Sequence, residues 1–185
     1  NIVYSIGCFN FPRTTLLGEY PIGFNAIIRD GKHQVRDNKI IGNTIIGFDT
    51  ALSPGGQNIE VSNNTLRDFS QGMYIRNIVD SDISYNDYKT DRKISYCYQS
   101  FGGEANNVKI HNENINVKHR PINFFNFNKN GLGNITFEEC KIDSPKEIYL
   151  NQSKNITIKN NLIKFNRITE VDCENIITEN NLDLN

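Results

Sequence analysis

The sequence predicts an all-β solenoid, in which short parallel strands wind around one axis and stack lap upon lap. Three observations carry this prediction. The first is composition: Asn occurs 29 times and Ile 26 times in 185 residues, against three Ala and nine Leu. Ile is β-branched and suits a pleated surface, Asn suits turns and the left-handed backbone region, and the best helix former is nearly missing. The second is a recurring pattern: a polar residue, two apolar residues at alternate positions, a polar corner rich in Asn, then another apolar residue. Asn58-Ile-Glu-Val-Ser-Asn-Asn-Thr-Leu66 and Asn155-Ile-Thr-Ile-Lys-Asn-Asn-Leu-Ile163 are its clearest copies. The third is the spacing. Copies beginning at 32, 58, 82, 107, 134, 155 and 175 lie 20 to 27 residues apart, the length of one solenoid unit.

Taken in order, residues 1–31 are irregular. They contain Pro12, Gly18, Pro21, Gly23 and Gly31, and are expected to form degenerate coils of the same domain, with a strand near Asn25. Regular coils are expected over 32–185, giving about seven to eight coils in all. In each copy the alternating pair faces inward: Ile59 with Val61, Ile135 with Phe137, Ile156 with Ile158. The corner follows. Asn38, Asn64, Asn161 and Asn181 are expected to stack there as a ladder of amides, interrupted by Glu113 and Cys140. A second apolar position comes next, at Leu66, Ile115, Ile142 and Ile163. A further strand then runs through 73–75, 122–124 and 148–150.

Several classes are excluded or disfavoured. A net charge of −1 provides no basic field for nucleic acid or an anionic membrane. No apolar run approaches the ~20 residues that cross a bilayer. Cys8, Cys97, Cys140 and Cys173 form no CxxC pair, which argues against a zinc site; their even number leaves disulfides open, but buried free thiols are favoured because a repeat core needs no staples. Neither a metal nor a cofactor is expected.

The NIxIxNNxI pattern resembles the right-handed parallel β-helix of the pectate-lyase-like superfamily over roughly residues 25–185. That resemblance implies a sugar-binding face formed by one strand per lap. By alternation, the outward residues of the strand after the corner are Tyr74 and Arg76, Ser95 and Cys97, Asn123 and Phe125, Tyr149 and Asn151, then Thr169. Of these, Tyr74, Arg76, Asn123, Phe125, Tyr149 and Asn151 form the expected substrate-binding set. Aromatic rings cover the C–H faces of sugars, while amides and guanidinium groups bond hydroxyl and acidic groups.

Cleavage of a glycosidic bond needs two carboxyl groups about 5–9.5 Å apart. Glu104, in Phe101-Gly-Gly-Glu104, is the first candidate, with Asp91 and Glu147 beside it. His111 and the pair His119-Arg120 are the candidates for a lyase base and its positive partner. The leading reading is a phage tailspike-type β-helix that binds, and in its stronger form depolymerises, a bacterial surface polysaccharide. It implies an extracellular or virion location and a homotrimer, or flanking domains, covering the open C-terminal end. Two alternatives stand beside it: a secreted polysaccharide lyase or glycoside hydrolase, and a non-catalytic adhesion or spacer stalk.

Overall fold

A computed structural model of the chain describes residues 2–4, 22–26, 36–164 and 167–184. It is an all-β parallel solenoid of about six turns. Every strand pairing in the described residues is parallel and joins one lap to the next. Three sheets run along the axis, and the chain visits them in a fixed order. The first holds strands such as Glu60–Ser62, Ala105–His111 and Lys154–Lys159. The second, just past the Asn corner, holds Thr65–Arg67, Asn114–Asn116 and Lys141–Asp143. The third holds Gln71–Tyr74, Tyr96–Phe101, Ile122–Phe125 and Ile148–Asn151. The irregular coils expected over 1–31 fall largely outside the described residues, but Ile2–Tyr4 pairs with Thr44–Ile46 and Ile22–Ala26 with Thr50–Pro54.

Register corrects two of the expected copies. Ile40 pairs with Val61, so the first described copy is 37–45 rather than 32–40, whose residues 32–35 lie outside the described residues. Ile83 also pairs with Val61, which moves the third copy from 82 back to 80. The corner column is therefore Asn43, Asn64, Asn86, Glu113, Cys140, Asn161 and Asn181, with Asn43 replacing the expected Asn38 and Asn86 added. Successive members lie 21, 22, 27, 27, 21 and 20 residues apart.

The corner amides bond from lap to lap along the column. The Asn43 backbone N–H and Nδ2 both donate to Asn64 Oδ1 at 2.9 Å, and the same two groups of Asn64 donate to Asn86 Oδ1 at 2.9 Å. The second amide hydrogen of Asn64 reaches the Ile40 carbonyl at 2.7 Å, and that of Asn86 the Val61 carbonyl at 2.9 Å. Asn161 and Asn181 repeat the arrangement further along. The side chains thus satisfy buried backbone groups that the turn removes from the sheets.

The remaining Asn abundance has a second cause. Three columns of residues hold left-handed backbone, with φ of 47–67°. One enters the first sheet (Asp37, Asn58, Asp80, Asn107, Asn155, Asn175), one turns the corner (Gly42, Asn63, Tyr85, Asn112, Glu139, Asn160, Asn180), and one leaves the third sheet (Asn77, Gly102, Asn126, Gln152, Asp172). Asn and Asp reach this region at lower cost than other residues bearing a Cβ. Fifteen of the eighteen described non-glycine residues with positive φ are Asn or Asp; Tyr85, Glu139 and Gln152 are the exceptions.

Inside, like stacks on like: Ile40, Val61, Ile83, Ile110, Phe137 and Ile158 form one column. Tyr88, Tyr98, Phe124, Phe127 and Phe137 fill the middle laps and are wholly buried. Cys97 and Cys140 are buried free thiols, as the sequence suggests, and Cys173 is half-buried.

Candidate functional site

The outward side of the third sheet carries a column of aromatic and amide side chains. Register places Tyr74, Gln99, Asn123, Tyr149 and Thr169 in one file. Phe101, Phe125, Asn151 and Val171 form the file beside it, with Arg76 preceding Phe101. Phe101 and Phe125 stack at 5.4 Å with planes 22° apart, and Phe125 meets Tyr149 at 5.4 Å. The Tyr149 hydroxyl also accepts a hydrogen bond from Asn151 Nδ2 at 3.1 Å. Phe101 is half exposed, at 52%, so the ladder presents ring surface to solvent.

All six expected binding residues lie on this sheet or at its edge. Alternation fails at Ser95 and Cys97, which were expected outward and are fully buried. Cys97 and Tyr98, adjacent in the strand, are both buried in the core, and the outward positions become Tyr96 and Phe101, with Gln99 in the outward file but only 3% exposed. Asn123 lies in the outward file but is only 2% exposed, with Arg120 donating to it at 3.4 Å.

Arg120 organises the upstream edge. Its guanidinium lies 4.0 Å from the centre of the Tyr149 ring and bonds the Glu147 carboxylate at 3.2 Å. A bond from its own backbone N–H, and then the charge of Arg120, hold the Glu147 carboxyl below the ordinary carboxylate range. His119 packs edge-on against Tyr96 at 5.2 Å. Burial, and then the charges of Arg120 and Lys146, lower its basicity, which favours the neutral ring.

At the downstream edge, the corner leaving the third sheet opens into a groove of about 370 Å³. Glu104 lines it and accepts a hydrogen bond from the Asn130 amide. Asp91 sits elsewhere, in the turn before Tyr96, highly exposed and 3.3 Å from Lys118.

The structure does not bring the three candidate carboxylates together. Glu104 and Asp91 flank the same strand, Tyr96–Phe101, whose six residues span ~20 Å. Glu147 precedes Ile148–Asn151, two laps further on, which places its backbone ~10 Å from theirs along the axis. Glu104 therefore lies beyond the ~5–9.5 Å of glycoside hydrolysis from either of the others, while Asp91 and Glu147, at the same edge two laps apart, are each paired with a cation, Lys118 and Arg120. Glu147 is moreover shifted away from the raised pKa of a general acid. His111 lies on the other side of the corner, in the first sheet, bonded to Asp82 at 2.9 Å and to the Asn112 amide at 2.8 Å.

The chain matches no protein-family model, no curated protein and no solved structure.

Proposed function

We propose that this chain is a polysaccharide-binding segment of a right-handed parallel β-helix like those of the pectate-lyase-like superfamily, acting as a phage tailspike-type rod on a bacterial surface glycan. The observation that carries the reading is the run of rings Phe101–Phe125–Tyr149, the first two in register and Tyr149 diagonal to Phe125 in the next file, flanked by Arg120, Asn123 and Asn151. Rings in contact from lap to lap, 5.4 Å apart, give a glycan successive apolar platforms, and the amides beside them give it hydrogen-bond partners. The placement of Glu104, Asp91 and Glu147 at different edges or laps of the third sheet supports binding over hydrolysis by these three carboxyls. Hydrolysis would require a partner carboxyl outside this set, from this chain or from a neighbouring subunit.

The test is binding of the full chain to capsular and O-antigen polysaccharides, read by affinity electrophoresis, alongside reducing-end and unsaturated-product assays for cleavage. Tyr149→Ala removes one platform and the seat of Arg120, and is expected to weaken binding about tenfold. Unchanged binding by Tyr149→Ala, with the urea midpoint preserved, would refute the third-sheet face as the site.

A further inference from the structure

The groove at the downstream corner has a different character from the aromatic face. It crosses four laps, walled in turn by Gly56 and Gln57, by residues 77–79, by residues 104–106, and by Leu132 and Gly133. Its polar lining among the described residues consists of Gln57, Asn77 and Asn106 and the acidic Glu104, and these described lining residues include no Lys, Arg or His. A second carboxylate stands next to it. Asp80 accepts from Asn107 Nδ2 at 2.9 Å and from Gln57 Nε2 at 3.1 Å, and these bonds hold it below the ordinary carboxylate range. One wall is fixed by contact, since a Cβ on Gly133 would stand 1.9 Å from the Ala105 carbonyl oxygen. The rim is apolar, because Leu132 is 85% exposed.

Resting on the polysaccharide reading above, we propose that this groove holds an uncharged stretch of glycan, made of neutral or N-acetylated sugars, and discriminates against uronic acids. Amides bond hydroxyl and acetamido groups in either direction, and a carboxylate accepts from adjacent hydroxyls. Leu132 covers a C–H face or an acetyl methyl. A uronate in the same place meets Glu104 and Asp80, and none of the described lining residues is a cation that would compensate. Like charges a few ångströms apart at a protein surface cost enough to lower affinity about tenfold.

The experiment compares bacterial surface polysaccharides with wholly uncharged repeats and polysaccharides whose repeats contain uronic acid, by affinity electrophoresis of the full chain at constant ionic strength. Binders are expected in the uncharged set. Glu104→Gln is expected to leave the urea midpoint unchanged and to raise affinity for the uronate polymers about tenfold. Tight binding to a uronate polymer that Tyr149→Ala weakens would overturn the groove's selectivity while keeping the polysaccharide reading. Discrimination unchanged by Glu104→Gln would also overturn it. Absence of binding to both sets overturns the two proposals together.

Discussion

Glu113 occupies a place in the corner column where Asn is the rule, and replacing it with Gln gives a quantitative test of the interior. Its Oε1 accepts the Asn86 backbone N–H at 3.2 Å and the Asn86 amide at 3.1 Å. Its Oε2 lies 2.8 Å from the Tyr98 hydroxyl, which is itself 2.9 Å from the Tyr88 hydroxyl. Cys97 and Cys140 complete the titratable surroundings, and none of these groups carries a positive charge. Burial pushes the carboxyl from its ordinary 4.5 up to about 7, although the bonds from Tyr98 and Asn86 oppose the rise. The folded chain therefore binds this proton more tightly than the unfolded chain does. The stabilising contribution is complete below the unfolded value and is lost as pH rises through the folded one. At about 1.4 kcal/mol per tenfold change in proton affinity, full ionisation removes about 3 kcal/mol of stability. Gln keeps an acceptor for Asn86 and cannot ionise. In urea titrations followed by circular dichroism, we expect Glu113→Gln to match the parent within about 1 kcal/mol at about pH 5 and to exceed it by about 2–3 kcal/mol at about pH 8.5. Parallel pH profiles for the two proteins would refute a protonated, buried Glu113.

Asn64→Ala leaves the Asn43 donors without their shared acceptor and the buried Ile40 carbonyl without its amide. A cost of about 2–4 kcal/mol in urea unfolding is expected, and one below about 1 kcal/mol would mean the ladder contributes little. Glu139 holds a φ of 56° at the corner. Glu139→Asn should raise stability by about 1 kcal/mol, and a lower urea midpoint would contradict the strain. Gly133→Ala forces its Cβ against the Ala105 carbonyl. A loss of about 2–3 kcal/mol in thermal or urea unfolding is expected, and a neutral result would show that this wall yields.

Legibility of the fold in the sequence followed the strength of the alternation. From Asn107 onward every copy holds apolar residues at both inward positions or a clear corner, and the expected starts agree with the observed register. The third copy slid by two residues because Ser81 stands where Ile59 stands one lap earlier. That serine is not a defect: its Oγ accepts the Ile59 backbone N–H at 2.9 Å. The first copy slid because its corner is Gly42-Asn43 and lacks the Asn-Asn signature. The outward face was readable wherever the third-sheet strand is straight, as at Asn123, Phe125, Tyr149 and Asn151. It failed at Ser95 and Cys97, because the adjacent Cys97 and Tyr98 are both buried in the core and alternation is broken. Arg120 lies in a turn, outside any period of two, and sequence marks it only as the neighbour of His119. Its role depends on Tyr149 and Glu147, 29 and 27 residues away.

The spacing of the corner column also governs how the rod yields to force. Each strand's partner is a single lap distant, so tension on one end loads the outermost lap before any other. Detachment would proceed as a series of ruptures, each freeing 20–27 residues of chain, or roughly 70–95 Å of extended length. The longest increments would come from the two 27-residue laps, which surround the buried aromatic rings and Glu113. A molecule anchored at its tip would thus shed length gradually while its middle stayed intact.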